Sequence, residues 1–444
     1  MKIVIAGAGD VGTHLAKLLT HEEQDILVVD NNSERLNLLD SNYNLMTLQG
    51  SPTSFGTLRE ARVDNCDLFI ALTPSETDNI VACSIAKNLG AKHTVGRINS
   101  YDFMNERNLE HVRAMGVDRL IYPEYLAAQE IITSLRRPWV RHWFEIHDGE
   151  IIVVGVKIHP GAPVAGQKIM EFSTTNHNFH VSAIKRNHET IIPRGADLLL
   201  PDDIVYFTCT REHVDDLLAL TGKTNHTVRR VMVMGGGKIA IRLAALADDE
   251  FRLKIIDNDP VISAQLPEKC PDAEIILGDA RDIDLLLDEG IDQYDAFIAL
   301  SGSSEANILT CLTAKELGVR KTVAEVENIQ YISQAEGLNI GTIINKKLLA
   351  SAAIFQLLLD ADSSTSKCLA LADAEVAEIE VKPRAKVTNA AVKDLRLSRD
   401  MTIAGLIRDG HGMLVSGNTV IMPGDHVVIF CLSGALHKVE RLFN

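Results

Sequence analysis

The sequence predicts an α/β protein made twice over: two doubly wound parallel-sheet domains, each followed by a small α+β domain. Three observations predict it. Short apolar runs alternate with helical stretches from the first residues onward. The opening Met1-Lys2-Ile3-Val4-Ile5-Ala6-Gly7-Ala8-Gly9-Asp10-Val11-Gly12 aligns with Arg229-Arg230-Val231-Met232-Val233-Met234-Gly235-Gly236-Gly237-Lys238-Ile239-Ala240 at an offset of 228 residues. At the same offset, DLFIALTPSETDNIVACSIAKNLG (67–90) matches DAFIALSGSSEANILTCLTAKELG (295–318) without gaps, 13 of 24 positions being identical. Unrelated segments seldom agree so well, so the chain contains an internal duplication.

In the first half, residues 3–6 read as a buried strand and 11–19 as a helix, and 25–30 with 33–40 repeat that pair. Runs at 45–49, 68–72 and 94–98 add short apolar strands, each followed by a helical stretch. This is the pattern of a parallel sheet covered on both faces. After Pro138 the pattern changes. Alternating or β-branched runs at 151–158, 181–185 and 204–208 are separated by the turns His159-Pro160-Gly161, Pro193-Arg194-Gly195 and Pro201-Asp202-Asp203, which predicts a small α+β module. In the second half 376–381, 402–407 and 426–430 take the same roles, with Pro423-Gly424-Asp425 opposite Pro201-Asp202-Asp203 at an offset of 222. The expected domains are 1–138, 139–225, 228–362 and 367–444. Linkers fall near 221–227 and 360–366, the latter containing the flexible-looking tract ADSSTS.

Composition narrows the function. The 444 residues are 46% hydrophobic and 23% charged, normal for a well-cored globular chain and unlike disordered or fibrous sequences. Forty-four Lys and Arg against 60 Asp and Glu give a net charge of -16, which opposes attraction to nucleic acid and to anionic lipid. No apolar run approaches the roughly 18 to 20 residues of a membrane span, so a cytoplasmic protein without direct membrane insertion is expected. The seven cysteines are scattered without a C-x-x-C pair, as for reduced, buried thiols. The 15 histidines form no H-E-x-x-H or similar pattern, and no metal site is expected from spacing.

Gly7-Ala8-Gly9-Asp10-Val11-Gly12 is G-x-G-x-x-G between a strand and a helix, and Asp30 ends the next strand 18 residues after Gly12. Gly7 permits a tight turn, Gly9 lets the backbone approach a pyrophosphate, and Gly12 lets the helix pack closely. The first helical turn, Asp10 and Val11 included, offers free N–H groups and a positive dipole end to phosphates. Asp30 is expected to accept hydrogen bonds from ribose hydroxyls, and its charge disfavours a 2′-phosphate, so NAD(H) is preferred to NADP(H). In the duplicate, Gly235 and Gly237 are kept, Ala240 stands third, Ile239 precedes it, and Asp257 ends the next strand. Lys238 replaces Asp10, and Glu325 replaces Arg97 at the end of a later strand. Two readings of the second site stay open: Lys238 helps it hold an extra phosphate, as in ATP or ADP, or the site is unused.

These residues resemble a known family. Gly7 to Gly12, Asp30, the Gly50-Ser51-Pro52 and Gly278-Asp279-Ala280 turns, Arg97 and Tyr122-Pro123-Glu124 are similar to the KTN/RCK domain of potassium-transport regulators. Ala183-Ile184-Lys185-Arg186, Ile191-Ile192-Pro193-Arg194-Gly195 and Pro201-Asp202-Asp203 resemble its companion RCK-C domain. Two such pairs in one chain resemble the TrkA family, the peripheral regulatory subunits of Trk-type potassium uptake systems. The resemblance implies two Rossmann-like domains, each followed by an RCK-C domain, in a regulator that is not an enzyme. It implies nucleotide at Gly7, Gly9, Gly12, Asp30 and Thr73, phosphate support from Arg97, and a duplicate site at Gly235, Gly237, Asp257 and Asp279. It further implies a homo-oligomeric, tetrameric ring on the inner face of a membrane, bound to an integral potassium transporter subunit. The sequence departs from the family where Ser51 follows Gly50 in place of an acid, and where Asn345-Lys346 stands for Pro123-Glu124.

The helix expected at 124–136 places Ala128, Ile131, Ile132 and Leu135 on one apolar stripe. It packs either on its own sheet or, as the family implies, across to a neighbour. Two rival functions are compatible with parts of the sequence. An NAD-dependent dehydrogenase would need an acid/base cluster beside the cofactor; Arg141, His142 and His147 near Trp139 are the available set, although a solvated junction between domains is the plainer reading. A cation sensor would use Asp202, Asp203 and Asp425 on exposed turns, where ordinary turn chemistry is the plainer reading.

Overall fold

The computed structural model describes all residues except 21–23, 188, 362–365, 372–373, 396, 433–434, 436–441 and 444. Most of the expected 360–366 linker therefore lies outside the described residues.

The first half runs β1 (Lys2–Ala6), α1 (Asp10–Thr20), β2 (Asp25–Asp30), α2 (Ser33–Asn42), β3 (Met46–Gln49), α3 (Phe55–Glu60), β4 (Leu68–Ala71), α4 (Glu76–Leu89), β5 (His93–Arg97), α5 (Glu106–Ala114), β6 (Arg119–Ile121) and α6 (Pro123–Arg136). Then come β7 (His142–Ile146), β8 (Ile151–Lys157), α7 (Ile169–Thr175), β9 (His180–Arg186), β10 (Glu189–Ile191), β11 (Ile204–Cys209) and α8 (Asp216–Thr221). The second half repeats the order: β12 (Arg230–Met234), α9 (Lys238–Ala247), β13 (Arg252–Asp257), α10 (Pro260–Lys269), β14 (Glu274–Leu277), α11 (Ile283–Asp288), β15 (Ala296–Ala299), α12 (Ser304–Glu316), β16 (Lys321–Glu325), α13 (Ile329–Gly337), β17 (Thr342–Ile344) and α14 (Lys346–Ala361). It closes with β18 (Ser366–Leu371), β19 (Ala374–Glu380), β20 (Met401–Arg408), β21 (His411–Leu414) and β22 (His426–Leu432).

The described residues form two compact units, 1–127 with 346–361 and 128–345 with 362–444. The first unit holds a parallel sheet in the order β3-β2-β1-β4-β5-β6. Its central strands β1 and β4 are apolar from Ile3 to Ala6 and from Leu68 to Ala71, Ile3, Val4, Ile5 and Ala6 being fully buried, because helices cover both faces. Side-chain caps start those helices: Asn32 accepts from the Glu34 and Arg35 amides, and Ser75 accepts from Asp78. Gly90, at φ 120°, ends α4.

The last helix of this unit comes from the other half of the chain. α14 packs on α1 and β6, burying Ala350, Ser351, Ile354 and Phe355. The exchange is reciprocal, because α6 from Ala128 onward belongs to the second unit. There Ser134 Oγ lies 2.9 Å from Thr342 Oγ1 on β17, and Arg136 pairs with Glu250 at 2.8 Å. Ala128, Ile131, Ile132 and Leu135 are all buried. Ser134 and Arg136, beside this stripe on α6, thus bond to the second half of the same chain.

The second unit contains the parallel sheet β14-β13-β12-β15-β16-β17 and two antiparallel sheets, β10-β9-β11-β8-β7 and β18-β19-β22-β20-β21. Ile151, Val153 and Tyr206 of the first antiparallel sheet share a core with Val376, Val428 and Phe430 of the second.

The structure departs from two sequence expectations. The segment around Trp139 is not a solvated junction: Trp139 is buried, and His142–Ile146 is an edge strand paired with β8. Desolvation pushes the His142 imidazole down to about 3, and burial pushes Arg141 down to about 10. The turn acids Asp203 and Asp425 are not exposed. Each is 2% exposed and takes a bidentate guanidinium, Arg186 at 2.9 and 2.7 Å and Arg408 at 2.8 and 2.7 Å. A paired, buried carboxylate of this kind closes the turn and is not open to a cation. Only Asp202 faces solvent, near Lys157 at 3.3 Å. The six cysteines with described side chains are free and buried, as expected.

Candidate functional site

Each parallel sheet carries a cleft at the carboxyl ends of its strands, where the strand order reverses direction. The first, about 230 Å³, is lined by Gly7, Asp30 and Thr73 together with Arg35, Ser51 and Asp78. The second, about 420 Å³, is lined by Gly235, Gly237, Asp257 and Asp279 together with Arg281 and Ser301.

The glycine loops are shaped by contact, not by flexibility alone. Gly7 has φ 113°, and a Cβ there would lie 3.0 Å from the Leu72 carbonyl carbon. A Cβ on Gly12 would lie 1.9 Å from the Gly7 oxygen, so α1 approaches the loop only because that position is bare. Among the described residues, nothing lies within 4 Å of an ideal Cβ on Gly9 or Gly237, leaving that side of each loop open. Val11 and Ile239 turn their side chains into the core, so they offer only backbone at the first helical turn.

The strand-end acids do more than the sequence indicates. Asp30 Oδ2 accepts from the Ala8 amide at 2.6 Å, and Oδ1 accepts from Asn32 at 2.7 Å. In the second half Asp257 accepts from Gly236 at 2.6 Å and from Asp259 at 2.8 Å. Each carboxylate therefore pins its glycine loop to the end of the neighbouring strand. Since an ionised carboxylate offers about four acceptor positions, two bonds leave room for ribose hydroxyls.

A second duplicated brace was missed in the sequence. Fully buried Asn79 receives the Thr73 amide at 2.9 Å and the Thr73 hydroxyl at 2.7 Å, and it donates to the Thr73 and Arg97 carbonyls at 3.0 and 2.9 Å. Asn307 does the same for Ser301 and the Glu325 carbonyl. Its signal was present: an asparagine retained in both halves within an otherwise apolar helix pattern.

Charge around the loops is rearranged by packing. Asp10, at the mouth of the first loop, is 2.6 Å from Lys347 of α14. Arg97 stands at the end of β5, outside the cleft lining, with its Nε buried and without a hydrogen-bond partner among the described residues. Lys238 occupies the first position of α9. Asp279 is held by Arg281 through Nε at 2.9 Å and Nη2 at 2.6 Å, which lowers its carboxyl below the usual range. Arg281 was not singled out in the sequence, because a lone arginine two residues after an acid carries no pattern.

The TrkA-N domain model matches residues 3–123 and 231–346, and the TrkA-C domain model matches 153–222 and 376–444. The chain belongs to the TrkA family. The Trk system potassium uptake protein TrkA of Haemophilus influenzae is 31% identical over 453 residues, spanning 100% of this chain and 98% of that one. A TrkA homolog of Archaeoglobus fulgidus is 28% identical over 446 residues, spanning 100% of both. Among solved structures, the GsuK RCK domain superposes with a TM-score of 0.61 at 18% identity, covering 100% of this chain and 94% of that chain. The GsuK channel bound to NAD gives 0.61 at 18% identity, covering 100% and 78%. These structures share the tandem fold that the TrkA-family sequence implies. No helix among the described residues is long and apolar enough to cross a membrane.

Proposed function

We propose that the chain is a nucleotide-sensing regulatory subunit that gates a Trk-type potassium uptake transporter from the cytoplasmic side of the membrane. The carrying observation is the pair of clefts, each with a bare glycine loop pinned by a strand-end carboxylate that keeps spare acceptor capacity. In the first, Gly7, Gly9, Asp10, Val11 and Gly12 surround the phosphates, Asp30 takes the ribose, Thr73 closes the far wall, and Arg97, with its orphaned Nε, adds a cation. NAD(H) fits this set, because Asp30 repels a 2′-phosphate. In the second, Gly235, Gly237, Lys238, Ile239, Asp257 and Asp279 take the matching positions. Its cations Lys238, at the first position of α9, and Arg281, in the cleft lining, suit the phosphates of ATP or ADP. GsuK structures with NAD and with ADP support both ligand classes.

The domain limits 1–138, 139–225, 228–362 and 367–444 go with this reading, as does assembly into a tetrameric ring by family resemblance. Gating requires a nucleotide to bind one ring geometry better than another, since equal affinity shifts nothing. The dehydrogenase reading gains no support: His142 stacks on Tyr206 at 5.7 Å, whereas His147 contacts Glu378, so Arg141, His142 and His147 form no common acid/base cluster.

The test is thermal-shift titration of the purified chain with NADH, NAD, ATP and ADP. Stabilisation by at least one, reduced in Asp30→Ala, supports the proposal; unmoved melting curves with all four refute it.

A further inference from the structure

His147, Glu378 and His426 come together in the second unit, far apart in sequence and outside both clefts. His147 lies in the turn between β7 and β8, in the left-handed region at φ 50°, followed by Asp148 at φ 54° and Gly149 at φ 89°. Glu378 is on β19 and His426 opens β22. The register pairs Glu380 with His426, so Glu378 and His426 are diagonal neighbours on one face. His147 Nδ1 is 2.9 Å, and His426 Nδ1 3.0 Å, from the same oxygen, Glu378 Oε1. All three ligand atoms lie within 4.8 Å of one another.

Hydrogen bonding accounts for only part of this arrangement. The Glu378 side chain is 3% exposed, and burying a carboxylate requires compensation. His147 bonds to it, but the buried Nδ1 of His426 makes no aligned hydrogen bond among the described residues despite its proximity. Two imidazole nitrogens and a carboxylate oxygen converging on one point form the donor set of a divalent transition metal, whereas Ca²⁺ or Mg²⁺ asks for a shell of oxygens. Tetrahedral ligands at zinc distances sit about 3.3 Å apart, so the observed 2.9 and 3.0 Å separations need widen only slightly. Both histidines are about one-third exposed, which leaves a solvent-facing position for water.

We propose that His147, Glu378 and His426 form a Zn²⁺-class site that clips the first antiparallel module to the second. The arrangement is independent of nucleotide binding, because none of the three residues lines either cleft. In this site the metal neutralises Glu378 and fixes the two sheets whose shared core includes Ile146, Val376 and Phe430.

The test uses the full-length, tag-free chain stripped with chelator and titrated with Zn²⁺ by calorimetry, then with Co²⁺ by visible absorbance. Expected are one saturable Zn²⁺ per chain, the d–d bands of four-coordinate Co²⁺, and a melting temperature raised by Zn²⁺. His147→Ala and His426→Ala each weaken affinity by on the order of tenfold or more and abolish the bands. Both histidines are partly exposed, so metal-free circular dichroism and melting of the variants report whether the fold survives. Glu378→Gln is secondary, since that residue is buried. Absence of saturable binding in the native chain, or unchanged binding in the folded double variant H147A/H426A, overturns the proposal.

Discussion

Lys347 Nζ lies 2.6 Å from Asp10 Oδ2, so a residue from the second half of the chain supplies the cation at the mouth of the first glycine loop. The duplicate loop carries its own cation at the corresponding position, Lys238. The contrast that Asp10 and Lys238 suggest in the sequence is therefore partly cancelled by α14, which brings positive charge to the first loop through packing.

Lys347→Ala leaves Asp10 uncompensated where phosphates are proposed to bind. A partly exposed ion pair is worth about 0.2–1 kcal/mol, so NADH affinity at the first cleft should fall by roughly 1.4- to fivefold. Adding Asp10→Asn should restore it. Fluorescence titration at low and high salt measures both effects, with the difference shrinking as salt screens the pair. Unchanged affinity in Lys347→Ala would remove the electrostatic role.

Gly12→Ala and Ala240→Gly should behave oppositely. The first places a Cβ 1.9 Å from the Gly7 oxygen, forcing α1 away from its loop; overpacking of this kind costs about 1–3 kcal/mol. Its NADH-induced thermal shift should disappear. The second removes a methyl group that the second half already accommodates and should leave nucleotide binding there nearly unchanged. Comparable melting curves for Gly12→Ala and the native chain would contradict the packing argument.

Ile131→Ala removes a fully buried side chain from the exchanged part of α6. A loss of about 2–5 kcal/mol is expected, read as a lowered urea midpoint. A loss under about 0.5 kcal/mol, the range of an ordinary surface change, would show that the stripe does not carry the packing.

Lys321 gives stability a pH dependence. Burial pushes its ammonium from 10.5 down to about 7, with Arg141 adding to the shift and Glu130 opposing it. Between pH 7 and 10.5 the unfolded chain holds a proton that the folded chain has released. Stability from this group therefore rises with pH across that window and is lowest below it. Lys321→Met should flatten the rise relative to the native chain, measured by urea denaturation at several pH values. An identical slope in the two proteins would remove Lys321 as its source.

The strands, the glycine loops and the strand-end acids were legible in the sequence because each leaves a local mark. Residues 3–6 and 26–29 are apolar runs, and Gly7, Gly9 and Gly12 stand at fixed spacing before a helix. The helix exchange was not legible. A stripe such as Ala128, Ile131, Ile132 and Leu135 declares that it is buried but not against what. Nor did turn chemistry reveal that Asp203 and Asp425 face inward. The signal was nevertheless available, since Arg186 and Arg408 repeat at the same offset of 222 as the two acids they bind. β7 was missed because its residues, His142 through Ile146, mix polar and aromatic side chains on an edge strand, where one face need not be apolar.

The most direct measurement is isothermal calorimetry of the full-length chain with NADH and ATP, repeated for Asp30→Ala and Asp257→Ala. Saturable binding that each substitution weakens at its own cleft is the expected result. Heats unchanged in the double variant, or no saturable binding by the native chain, would contradict the assignment of the two pinned glycine loops as nucleotide sites.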